Sequence, residues 1–63
     1  MSHIQEYIKD NYKRIEQDAY YATSDVDDMK SYIRAMLLEE LSYEGYNAEE
    51  ILINLELYLE GER

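Results

Sequence analysis

The side chains with the types and spacing to do chemistry in this sequence are carboxylates. Glu39, Glu40 and Glu44 lie close together, Glu49 and Glu50 follow, and Asp25, Asp27 and Asp28 form a separate group. Paired carboxylates perform general acid–base work when a cleft holds them against a substrate. A chain of 63 residues has little room for a cleft of ordinary ligand volume. The Asp25 group invites a calcium-loop reading, but such a loop needs glycine at its sixth position and a bidentate acid at its twelfth. Counting from Asp25, those positions hold Lys30 and Met36, so the acids read instead as the charged start of a helix. There is no cysteine and a single histidine, His3, which is too few nitrogen and sulfur ligands for a zinc site. The Glu-x-x-His pattern of two-metal helical bundles does not occur. A nucleophile activated by His3 would depend on a base near the chain terminus, where preorganisation is poor. Gly45 and Gly61 stand singly, so no glycine-rich loop cradles a phosphate. The chain reads as non-enzymatic, with no cofactor and no metal.

The charge balance narrows the partners. Net charge is −9, and it is unevenly spread. Residues 1–22 carry four acids against three bases, whereas residues 23–63 carry eleven acids against three bases, Lys30, Arg34 and Arg63. From Ala35 to Glu62 there is no Lys or Arg. Nucleic acid and anionic membrane both require positive charge, so direct binding to either is not expected. A basic protein surface is the complementary partner. The longest uninterrupted aliphatic run, residues 35–38, is far too short to span a bilayer. With no basic-then-apolar leader, the expected location is the cytoplasm.

These charges must be positioned by helices. No proline interrupts the chain, and apolar residues recur at three- and four-residue spacing. Ile4, Ile8, Tyr12, Ile15, Ala19 and Ala22 form one stripe, predicting a helix over about 2–21 with Ser2 as its cap. Val26, Met29, Ile33, Met36, Leu37 and Leu41 form another, predicting a helix over about 25–44 that starts at a Ser24 cap and stops at Gly45. Asn47 with Glu50 three residues on signals a third start, giving a helix over about 48–60. Residues 51–59 also alternate in a way that suits a half-buried strand. Leu and Glu favour helix, and no second strand exists to pair with it. The fold class is therefore all-α, a single-domain antiparallel three-helix bundle with short connections.

Two features exceed what a three-helix monomer needs. On the third helix Ile51, Leu52, Leu55, Tyr58 and Leu59 share a broad face, which leaves Ile53 and Leu57 on another side. A small chain without disulfides gains most from covering such a stripe with its own copy, so a homodimer through Ile53 and Leu57 is expected. The other feature is Glu40, which projects into the apolar face of the second helix. It either reaches past its neighbours to water or pairs with a base across an interface.

The functional expectation is a small acidic inhibitor. Its partner-binding residues are Glu39, Glu40, Glu44, Glu49, Glu56 and Glu60, with Tyr43 and Tyr46 as anchors. Glu49, Glu56 and Glu60 share one side of the third helix at rises of about 10 and 6 Å, a row that imitates phosphate charge. No motif carries a family resemblance. In size and charge alone the chain is similar to small phage-encoded inhibitors of nucleases, restriction and CRISPR systems. The other reading is a structural or adaptor module that homodimerises and whose charge serves solubility.

Overall fold

The computed structural model describes residues 3–61 as three α-helices: α1 (His3–Ala22), α2 (Val26–Tyr43) and α3 (Ala48–Gly61). The expected Ser2 cap lies outside the described residues. Among the described residues there is no strand, so the alternation in 51–59 resolves as helix.

Local chemistry explains each boundary. The cap of α2 is Asp25, not Ser24 as the sequence suggested. Asp25 has extended backbone angles, and its Oδ1 accepts from the N–H groups of Asp27 and Asp28 at 2.9 and 3.2 Å. A carboxylate caps two amides at once and carries the negative charge that the helix start favours, which outweighs the hydroxyl one residue earlier. Thr23 holds the approach, its Oγ1 accepting from Asp25 N–H at 3.2 Å. The other end of α2 closes with a paired motif. Tyr46 N–H donates to Leu41 O at 3.3 Å, and Gly45 N–H donates to Ser42 O at 3.0 Å. That geometry needs a left-handed residue at Gly45, whose φ is +95°. Open space surrounds the position, so backbone strain rather than crowding opposes a side chain there. Asn47 then starts α3: its Oδ1 accepts from Glu50 N–H at 2.9 Å, and its amide donates to the Glu50 carboxylate at 2.8 Å.

The helices run up, down and up. His3, Glu6 and Tyr7 at the start of α1 border one hollow with Leu41 and Glu44 at the end of α2. Tyr20, near the end of α1, borders another with Met29 near the start of α2. α3 follows the direction of α1, since Gln5 donates to Asn54 O at 2.7 Å and the Tyr12 ring lies 5.1 Å from that of Tyr58.

The core is Ile4, Ile8, Ile15 and Ala19 from α1, Ile33, Leu37 and Leu41 from α2, and Ile51 and Leu55 from α3. Ala22 and Val26, which the stripes place inside, are exposed. Both flank the α1–α2 turn, Ala22 as the last residue of α1 and Val26 as the first of α2. Met29 and Met36 are half-buried, their flexible chains covering the edge of the core.

Leu37 is fully buried at the centre of α2. Leu37→Ala is expected to cost about 2–5 kcal/mol. A domain of this length has a total stability of about 3–9 kcal/mol, at roughly 0.05–0.15 kcal/mol per residue. A urea titration followed by circular dichroism should show the variant largely unfolded or nearly so. A midpoint equal to that of the wild type would remove Leu37 from the core.

Candidate protein-binding surface

The outer side of α3 carries the surface that the rest of the fold does not use. The inward arc of α3 is narrow, because Ile51 and Leu55 fill it and Tyr58 closes it against Tyr12. Leu52 lies about 100° around the helix from Ile51, too far to turn inward. Leu52 and Leu59, read from the sequence as part of the packed face, are 37% and 40% exposed. Ile53 and Leu57 are 54% and 55% exposed, on the side where the sequence placed them.

A groove of about 580 Å³ runs beside Leu52, Ile53 and Leu59, and Leu57 does not line it. Tyr12, Leu52, Leu55 and Leu59 give it an apolar lining, and Ile53 borders it. Its walls are oppositely charged. Lys30 and Arg34, one turn apart on α2, stand along one side, and Glu49 and Glu56, two turns apart on α3, stand along the other. Sequence reasoning missed Lys30, Arg34 and Tyr12 as parts of this surface. The available signal was the i, i+4 spacing of two bases just before a long base-free run.

The other predicted binding residues do not form one site. Glu60 is exposed and continues the acidic side of α3. Glu44 and Tyr46 border a separate hollow of about 300 Å³ beside the start of α1. Tyr46 is half-buried against the core, whereas Tyr43 is largely exposed. Glu39 is exposed on α2. Tyr20 and Tyr21 are exposed at the opposite end of the bundle from Tyr43 and Tyr46.

Glu40 is turned inward, and its carboxylate is occupied within the chain. Its Oε1 accepts from the Tyr7 hydroxyl and from Arg14 Nη2, the latter at 2.9 Å. Its side chain is 22% exposed. Of the two sequence readings, pairing with a base is the one observed, and the base lies on α1. Among the described residues this is the single ion pair, so no base pairs with the acids on the outer side of α3. Arg14 also donates to Asn11 Oδ1 at 3.2 Å, which holds the guanidinium in place. The hydrogen bond to Glu40 raises the Arg14 pKa above its usual value, against a smaller opposing effect of burial. Burial, then the bond to Glu40, raises that of Tyr7. Burial, then the nearby Glu16 charge, raises that of Tyr12.

Among the described residues no group of three or more His, Asp or Glu could hold a metal ion, and no helix is long and apolar enough to cross a membrane. No family model, curated protein or solved structure matches the chain.

The raised pKa values determine a pH response. Tyr7, Tyr12 and Arg14 hold their protons more tightly in the folded chain than in the unfolded one. The contribution of the two tyrosines to stability is full below the ordinary tyrosine value of 10.0 and is lost as pH rises through their raised folded values, while Arg14 stays protonated over that range. The urea midpoint should therefore fall from about pH 9 to about pH 11, and Tyr7→Phe should make that fall shallower. An equal slope in wild type and variant would exclude Tyr7 as a source of the linkage.

Proposed function

We propose that this chain acts by binding another protein, as a small acidic inhibitor that docks the outer side of α3 on the basic surface of a nucleic-acid-handling protein in the cytoplasm. One observation carries the reading. Glu49, Glu56 and Glu60 are exposed on α3, no base pairs with them among the described residues, and Leu52, Ile53, Leu57 and Leu59 are exposed between and beside them. Acids alone would serve solubility. Acids interleaved with exposed aliphatic side chains supply both parts of a binding surface: charge that steers encounter and apolar area that is worth burying. Glu39, Glu44, Tyr43 and Tyr46 do not group with the α3 acids and are left out of this surface, and Glu40 is excluded because Tyr7 and Arg14 occupy it. A row of this kind stands in for a phosphate strand in a groove that otherwise takes nucleic acid. Inhibitors of restriction or CRISPR effectors are the class that this size and charge suit.

The exposure of Ile53 and Leu57 supports a second reading, a helical module that pairs with its own copy and whose charge keeps it in solution.

The inhibitor reading is tested with a panel of immobilised basic DNA- and RNA-binding proteins. The wild-type chain should bind at least one member, be displaced by added duplex DNA, and weaken as salt rises. The triple variant Glu49→Lys, Glu56→Lys, Glu60→Lys should keep its helical circular-dichroism signal and lose at least about tenfold in affinity. Equal binding by wild type and variant would overturn this reading.

A further inference from the structure

We propose that the groove between α2 and α3 is occupied by a second copy of this chain, related by a two-fold axis that runs parallel to α3. The proposal rests on the reading that the chain self-associates, moves the contact from the Ile53 and Leu57 side to the groove, which Leu57 does not line, and adds its symmetry and charge pairs.

Lys30 and Arg34 are the only bases among the described residues of α2 and α3, and both border the apolar groove. Glu49 and Glu56 border its other side. The groove keeps these charges apart, and among the described residues no ion pair crosses it. The face therefore has an apolar strip with a basic flank and an acidic flank, both unsatisfied. It carries its own complement.

Symmetry then selects one arrangement. When identical faces meet, the two-fold axis lies in the plane of the contact. An axis perpendicular to α3 sets each flank against its own copy, base on base and acid on acid. An axis parallel to α3 exchanges the flanks. The bases of one copy then face the acids of the other, on both sides of the strip.

Height along the bundle supports the same arrangement. α2 and α3 meet at the turn formed by residues 44–47 and run away from it together. At 1.5 Å per residue, Arg34 stands roughly 15 Å from that turn and Glu56 roughly 14 Å. Lys30 stands roughly 21 Å away and Glu60 roughly 20 Å. A parallel axis preserves height, so Arg34 of one copy meets Glu56 of the other, and Lys30 meets Glu60. Leu52 and Leu59 supply the apolar area between the flanks, Ile53 adds to it beyond the acids, and the charge pairs set the register. The net charge of −9 on each copy opposes the association, but at physiological salt that repulsion is screened beyond about 8 Å, whereas close pairs are screened less. Glu56 belongs both to this contact and to the acidic row, so a self-paired chain and a partner-bound chain exclude one another.

Sedimentation equilibrium of the full chain at about 0.15 M salt tests the proposal. The wild type should dimerise. Arg34→Glu and Glu56→Arg should each weaken the dimer on the order of tenfold or more, because each places like charges in contact twice. The double variant Arg34→Glu, Glu56→Arg inverts both pairs and should restore the dimer. An equimolar mixture of the two single variants should form a heterodimer of wild-type strength, which keeps the test available if the double variant fails to fold. A wild type that stays monomeric would overturn the proposal and the self-association reading together. A wild-type dimer that the single variants leave unchanged would overturn this face alone, and binding of either state to a basic partner is measured independently by the triple reversal.

Discussion

Nine apolar side chains form the whole buried interior of the described residues, four from α1, three from α2 and two from α3. A chain this short cannot enclose more, because so much of its volume lies next to its surface. The consequences run through the structure. α3 contributes just Ile51 and Leu55, so its attachment also depends on the Tyr12–Tyr58 ring contact and on the Gln5 amide reaching Asn54. Its remaining aliphatic side chains have no interior left to enter. The exposed apolar surface of α3 is the overflow of a core that is already full.

Polar contacts supplement this small interior. Tyr7, Glu40 and Arg14 tie α2 to α1 on the margin of the core, with the carboxylate accepting from both partners. A charge placed among apolar neighbours would be costly without such donors, and here two are supplied from one helix. The pairing also determines which acids face outward. Glu40 pairs with Arg14, while among the described residues no base pairs with a carboxylate of α3. Tyrosine is the only aromatic residue the chain uses, and it suits this margin. At Tyr7, Tyr12, Tyr32, Tyr46 and Tyr58 the side chain packs against the core while part of the residue reaches solvent.

Helix ends decide how the faces are presented. Asp25, Gly45 and Asn47 each satisfy backbone groups that would otherwise be left open, and together they hold the two turns short. Short turns keep α2 and α3 antiparallel and adjacent. That adjacency sets Lys30 and Arg34 opposite Glu49 and Glu56 across one groove. The same residues on a longer, looser connection would be scattered charges with no shared surface.

Much of the architecture is local and could be read from the residues. The three helices, the Gly45 stop and the Asn47 start follow from spacing and capping chemistry, which act over four residues or fewer. The expected Ser24 cap moved by one residue because two adjacent residues could both cap, and a carboxylate that reaches two amides prevailed. Periodicity placed Ile33, Leu37 and Leu41 inside, yet it also placed Ala22, Val26, Leu52 and Leu59 there. A stripe describes a direction around one helix, and burial further requires a neighbour at that height. The residues of the candidate surface were legible as acids and spare aliphatics, with Glu49, Glu56, Ile53 and Leu57 all named from spacing. Their grouping was not, because Glu40 met Arg14 from 26 positions away and Lys30 met the α3 groove only through tertiary packing. Sequence by itself determined which segments are helical and how much charge each carries. The tertiary structure alone decided which charges are spent inside and which face each other across a groove, since these depend on distances between helices that no local pattern encodes.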